Sequence, residues 1–398
     1  MSTFALSLEL QKAKIQNMKE YTKEEMNQIY SNRRQSLGKY LTENNTGAAI
    51  FIDSEAHRDA SVCYYTGHPS DAVLAVFSDG YSILVAWDEN LAKLQGHYDK
   101  LIPFTRYKNN EIDATKAIIN LGNSHGVNGK VELPPYLSYP VYLRFIDALS
   151  NYDCRCKEDG AFKFTIDSRM IKDEYEIECT KEAARIGDII IDKIEQQIKD
   201  GSIKTEMDVA LLIERECRIH GCDRTGFDTL AAGPARSFAI HAFPGYTNGE
   251  WPGEGLSILD FGVVYKGYTS DTTVTVAKGN LTEEQNKQLE LVQKAYEEGL
   301  KLYTKDNLIS EAAKKVENVF AAAKRKMPHT LGHAIGLEIH EPPRVSSKTT
   351  DLKFTPGMIL TCEPGLYDPE TGGCRLENDV LITEEGHEVI TSSRIIRI

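Results

Sequence analysis

The sequence predicts an α+β protein in two parts: a smaller α/β domain over residues 1–165, then a domain over 166–398 built from a pseudo-twofold helix–helix–hairpin repeat. Three observations predict it. Apolar strand-like runs alternate with helical stretches in the first part. In the second, two amphipathic helical patterns followed by a strand pair occur twice. Each of those strand pairs also carries acidic residues in otherwise apolar surroundings. A chain of 398 residues exceeds one ordinary hydrophobic core, so two domains are the expected organisation.

Residues 6–45 read as polar helix in two segments broken near Tyr21-Thr22. Residues 48–52 form an apolar strand, and strands over 72–77 and 81–87 flank Ser78-Asp79-Gly80, a hairpin signal. Further strand and helix patterns run to about Phe164, without a cluster of acids, bases or nucleophiles. The boundary is expected in 165–172, just before a long helical pattern opens at Asp173. Helices are predicted over 174–198 and 205–220, the second with Thr205 and Asp208 as a capping box. A hairpin follows over 256–276. The second copy has helices over 282–303, capped by Thr282 with Gln285, and 309–326, then a hairpin over 358–383.

Composition narrows the class. The chain is 41% hydrophobic and 26% charged with a formal charge of −13, which fits a globular protein and argues against nucleic-acid binding. Lys324-Arg325-Lys326 is too short a basic run to change this and suits a helix C-terminus. The N-terminus lacks a basic segment followed by an apolar run, and no stretch approaches the ~20 apolar residues of a membrane span. The eight cysteines are scattered without metal-binding spacing, so free thiols and a cytoplasmic setting are expected.

The chemistry is expected in the hairpins. A turn centred on Tyr265-Lys266 places Asp260 directly opposite Asp271. Opposed side chains share a face with Cβ atoms roughly 4.5–5.5 Å apart. Two carboxylates so placed among Ile258, Leu259 and Phe261 repel each other, and either a proton or a cation must relieve them. The second hairpin repeats the clash: a turn centred on Glu370 sets Glu363 opposite Glu377, with Pro364 interrupting the ladder. Two divalent cations would neutralise four such charges. Between the hairpins, His329-Thr-Leu-Gly-His333 and His340-Glu-Pro-Pro-Arg344 supply a nitrogen ligand and polar groups. Oxygen ligands with one imidazole favour Mn, Co, Fe or Zn over copper. A metal pair roughly 3.5–4 Å apart activates water and polarises a carbonyl. Cys362 adjoins Glu363, but strand alternation turns its side chain toward the core.

The stretches LDFGVVYKGYTSDTT, HTLGHAIGLEIHEPPR and EPGLY…GCRLEND, in this order, resemble the pita-bread metallopeptidases, above all their Xaa-Pro aminopeptidase and prolidase branch. The resemblance covers the second half from Ser168-Arg-Met-Ile-Lys-Asp-Glu onward. It extends more weakly to residues 30–165, where YYTGHPSD is similar to the creatinase-type N-terminal domain. It implies two divalent ions held by Asp260, Asp271, His333, Glu363 and Glu377, with Glu363 also taking a proton from the attacking water. It implies that His340 contacts the scissile amide, that His241 and His329 line the substrate side, and that Arg344 faces the substrate's carboxyl end. Arg375 and Tyr367 would brace the ligands. Two positions depart from the family pattern: Val274 stands where arginine is common, and Ala334 where glycine is.

The implied activity is hydrolysis of the bond between an N-terminal residue and proline, by a homodimer acting on peptides with proline second. Neither nucleic acid nor membrane enters as a partner. A methionine aminopeptidase shares the ligands but not so long an N-terminal part. A creatinase-like amidinohydrolase and a non-catalytic peptide-binding module share the fold but typically lack the full ligand set.

Overall fold

The computed structural model describes residues 19–398. The helix Lys23–Glu43 opens on a capping box between Thr22 and Glu25, so the expected break at Tyr21-Thr22 is a helix start. The earlier polar segment, expected from residue 6, falls outside the described residues except at its end. Six strands follow: β1 (Ala48–Asp53), β2 (Ala72–Phe77), β3 (Ser82–Ala86), β4 (Lys100–Pro103), β5 (Lys130–Leu133) and β6 (Asp153–Cys156). They form one mixed sheet in the order β4-β3-β2-β1-β5-β6. The hairpin read at Ser78-Asp79-Gly80 joins β2 to β3.

Every residue of β1 and β2 is buried, because helices cover both faces of this sheet. Phe51 and Leu74 pack on one face with Leu37, Leu41 and Tyr65. Ile50 and Val73 pack on the other with Ile118 and Phe145. The helix Ala161–Arg169 runs into the segment 165–172.

Two helix–helix–hairpin units follow, as the sequence pattern predicts. In the first, Glu174–Lys199 and Glu206–Ile219 each begin with a capping box, Asp173 with Glu176 and Thr205 with Asp208. Ile186, Ile190 and Ile194 recur at helical spacing and pack with Val209, Ile213, Trp251, Leu259, Phe261 and Val274. In the second, Glu283–Leu300, capped by Thr282 and Gln285, and Ile309–Ala322 pack over Leu360, Cys362 and Val380. Both helices stop short of the predicted ends. The chain leaves the second beyond Ala322, with Lys324 in the left-handed region at φ 55.

The first hairpin departs from the expected register. Gly255–Phe261 pairs with Thr272–Lys278 so that Asp260 faces Thr273, not Asp271. The reason is at the tip, where Lys266 (φ 49) and Gly267 (φ 87) are the left-handed pair of a two-residue turn. Gly267 takes the second position without a Cβ penalty. A turn at Tyr265-Lys266 would have forced an aromatic residue into that region. The slip is by two residues, so Asp260 and Asp271 still belong to the same face.

In the second hairpin the expected register holds on both sides of the proline. Ile359–Cys362 pairs with Asn378–Thr383, and Gly365–Asp368 with Gly372–Arg375. Between them the ladder opens at Glu363-Pro364, and the Glu377 amide donates instead to the Thr273 carbonyl. That bridge joins the two hairpins. All eight cysteines are unpaired, and no helix among the described residues is long and apolar enough to cross a membrane.

Candidate metal centre

The bridge between Thr273 and Glu377 brings the acidic faces of both hairpins together. His333 arrives from the short strand Gly332–Ala334, which pairs with Ile359–Cys362 through Ala334. Its amide donates to the Thr361 hydroxyl at 3.1 Å, and its Nδ1 lies 3.1 Å from the Ala334 carbonyl, leaving Nε2 to point inward. His333 Nε2 lies 3.5 Å from Asp271 Oδ2 and 3.5 Å from Glu363 Oε1. Ligand atoms of Asp271, His333 and Glu377 all fall within 4.8 Å of one another. Asp260 enters from the side of Arg375, whose Nη2 donates to Asp260 Oδ2 at 2.5 Å.

This concentration of acid is buried. Asp271 and Glu377 are 4% and 2% exposed. Burial, followed by the charges of Glu377, Asp260, Asp379 and Glu363, pushes the Asp271 carboxyl well above the usual range. Glu377 is raised likewise, by burial and then by Glu363 and Asp260. Burial lifts Glu363 to about 7, with Arg375 opposing and Asp260 adding. Burial, then the neighbouring His340, holds the His333 imidazole at about 4 and therefore neutral, as a ligand requires.

The donor set suits a divalent cation. Asp260 Oδ1 and Asp271 Oδ1 are buried and accept no hydrogen bond, which is costly for carboxylate oxygens unless a cation takes their place as partner. Arg375 is the cation already at the centre, joined to Asp260, Thr273 and Tyr367. One positive charge does not balance four carboxylates.

A pH dependence follows. A group whose folded pKa is raised contributes stability below its unfolded value and loses it as pH climbs through the folded one. His329 and His333, both held at about 4, act oppositely, but their effect is complete near pH 7. Between pH 6.5 and 8 the raised acids dominate, Glu363 at about 7 among them, and metal-free protein is expected to lose stability as pH climbs, by up to about 1.4 kcal/mol per pH unit for each proton released on unfolding. Urea titrations at both pH values check this. Mn²⁺ should abolish the decline, because the cation binds the deprotonated acids.

The other expected site residues divide into two groups. Tyr367 donates to none of the acids; its hydroxyl accepts from Arg375 Nη1 at 2.7 Å and lies 3.0 Å from His329 Nε2. His329 Nδ1 is 3.9 Å from Glu363 Oε2. The His340 ring packs against His333 with centroids 4.4 Å apart. His241 and Arg344 are exposed and sit at the rim, close enough that both, after burial, depress the His340 pKa. Val274 points into the apolar cluster rather than the centre.

Sequence reasoning missed three supporting residues. Thr273 donates to Glu377 Oε2 at 2.6 Å and accepts from Arg375 Nε at 2.8 Å. The Thr361 hydroxyl donates to Glu363 Oε1 at 3.3 Å. Asp379 Oδ2 accepts the Asp271 amide at 3.0 Å. Strand alternation contained the signal, since each lies two positions from a site acid and so on the same face. A separate cavity of about 710 Å³ lies between the helix Glu283–Leu300 and the C-terminal strand and is lined by none of the five acid and histidine residues.

Paired helix–helix–hairpin units closing on a buried acid and imidazole centre define the pita-bread architecture. The chain belongs to metallopeptidase family M24, whose sequence profile matches residues 178–384. It is 30% identical to the Xaa-Pro dipeptidase of Pyrococcus furiosus across 91% of this chain and 98% of that one. It is 37% identical to an uncharacterized peptidase, YqhT, of Bacillus subtilis, across 56% of this chain and 63% of that relative. The X-Pro aminopeptidase of Thermotoga maritima superposes with a TM-score of 0.79 at 25% identity, covering 92% of this chain and 99% of that chain.

Proposed function

We propose that the chain is a dinuclear Xaa-Pro peptidase, cleaving the bond between an N-terminal residue and proline in dipeptides or longer peptides. The observation that carries this is the buried convergence of Asp271, His333 and Glu377, with Glu363 3.5 Å from His333 and one carboxylate oxygen each of Asp260 and Asp271 lacking any donor. The names of the Pyrococcus and Thermotoga relatives support the proline specificity.

Asp260, Asp271, His333, Glu363 and Glu377 would hold two divalent ions, Mn foremost, with Co, Fe or Zn as alternatives. Bound there, the ions would polarise the scissile carbonyl and acidify a water molecule. Glu363 would accept a proton from that water and return it to the leaving nitrogen. His340 and His241 would contact the scissile amide and, with His329, line the substrate side. Arg344 at the rim would meet the substrate's carboxyl end. Arg375 and Tyr367 keep Asp260 and His329 in place. The same reading includes a homodimer and a division of the chain between residues 165 and 166.

The test is a substrate-length series with Mn²⁺- and Co²⁺-loaded protein. A Xaa-Pro dipeptide, a Xaa-Pro tripeptide and proline-free counterparts are compared, with metal content measured in parallel. Hydrolysis of at least one proline substrate, with the proline-free peptides at least tenfold slower, is the expected result; discrimination of this size needs only about 1.4 kcal/mol. Inactivity on both proline substrates with two ions bound rejects the reading, and absence of stoichiometric metal favours a binding module instead.

A further inference from the structure

The segment just before the helix Glu174–Lys199 carries two buried cations that the proposed reaction does not use. The side chains of Arg169 and Lys172 are 5% and 1% exposed, and both converge on Glu341, itself 3% exposed. Arg169 Nη2 lies 2.5 Å from Glu341 Oε1, and Lys172 Nζ lies 3.0 Å from Oε2. Burial alone would raise the Glu341 pKa, but Lys172 and Arg169 hold it at about 2, so this is a fixed anion.

Glu341 is the residue after His340, and the loop leading to it wraps around its carboxylate. The Glu338 amide donates to Glu341 Oε1 at 3.2 Å, and Arg169 also reaches Glu338 Oε2 at 2.8 Å. A Cβ on Gly336 would lie 2.6 and 2.7 Å from the two Glu341 oxygens, so the backbone approaches the carboxylate as closely as glycine permits. From the other side, the Thr269 amide donates to the Gly336 carbonyl at 2.9 Å. A buried ionic cluster is a poor source of stability compared with apolar packing. Its contacts here are geometric: they tie the loop 336–341, whose His340 ring lies 4.4 Å from that of His333.

We propose that Arg169, Lys172 and Glu341 form a positioning network that sets the place of His340 in the site. The inference rests on the role assigned above to His340 in hydrolysis. It explains why two cations and one anion are buried together on residues that are not themselves metal ligands, with Glu341 paired in the sheet to Ala334 beside His333. It also gives the segment 169–172 a part in the reaction without contact to substrate.

The test is Glu341→Gln in metal-loaded protein, which keeps the shape of the side chain and removes its charge. Expected are unchanged metal content, a KM within threefold of wild type and a kcat lower by roughly 10²-fold, the size of effect that a misplacement of about 1 Å produces. In a His340→Ala background the same substitution should lower kcat by less than twofold, because residues acting through one another are not additive. A purely structural role would leave the two effects independent, and full additivity overturns the proposal. Hydrogen exchange supplies a readout free of activity. The Glu338 amide should exchange at least tenfold faster in E341Q, and unchanged exchange across 336–341 overturns the network even if the wild type hydrolyses no proline substrate. Should E341Q fail to fold, the Lys172→Met/Glu341→Gln pair removes one cation with the anion and leaves Arg169 on Glu338. The same kinetic, additivity and exchange criteria apply to it.

Discussion

Glu363→Gln is expected to lower kcat on a Xaa-Pro dipeptide by about 10³-fold while leaving the fold intact, within the range that loss of a positioned general base produces. The substitution is nearly isosteric. The Thr361 hydroxyl, 3.3 Å from Glu363 Oε1, can still donate to an amide oxygen, so packing is preserved. What is lost is the charge 3.5 Å from His333 Nε2 and the ability to accept a proton near neutral pH. The same change removes one member of a mutually repelling set, so metal-free E363Q should be more stable than metal-free wild type above pH 7. Opposite signs in the two measurements separate a ligand and base from an ordinary buried acid. Steady-state kinetics, metal analysis and urea titration of metal-free protein check it. Activity within tenfold of wild type would remove Glu363 from the proposed chemistry.

Much of this centre was legible because strand alternation is a strict rule and turns obey few alternatives. The convergence of Asp260 with Asp271 survived a misplaced turn because the error was even: Lys266 and Gly267 moved the tip, yet a two-residue slip keeps a side chain on its face. The second hairpin was read in register because Pro364 interrupts the ladder without inserting a residue. The capping boxes at Thr205 and Thr282 were legible since they are local, closing over three residues.

What could not be read were partners distant in sequence. The bridge from Thr273 to Glu377 depends on how two hairpins dock, and no local propensity encodes it. In the sequence the cation nearest to Glu341 is Arg344, three residues away. The structure gives Glu341 to Arg169 and Lys172 instead and leaves Arg344 exposed. On the short strand Glu341–Val345 the burial pattern alternates, with Glu341 inward and Arg344 outward, so the two side chains belong to opposite faces. The order of the N-terminal sheet was likewise out of reach, because β5 joins β1 in parallel across a long connection.

Arg375→Met is expected to cost the metal-free protein about 3–5 kcal/mol, the usual consequence of removing one partner from a buried ion pair. The Arg375 side chain is 3% exposed. Burial opposes its charge, but Tyr367, Asp260, Glu377 and Glu363 hold its pKa well above the ordinary value. Its fork reaches Asp260 Oδ2, Thr273 Oγ1 and the Tyr367 hydroxyl at 2.5, 2.8 and 2.7 Å. Methionine fills similar space but leaves the Asp260 carboxylate without its counter-ion. The metal-loaded protein should lose less, because divalent ions supply the missing positive charge to the same acids. Arg375→Lys should fall between, since one ammonium cannot span three acceptors set for a planar fork. The comparison decides what neutralises the acids when metal is absent. A loss near zero for metal-free R375M at pH 8 would mean that protons, not Arg375, carry that task, and a loss of the expected size means that the guanidinium does.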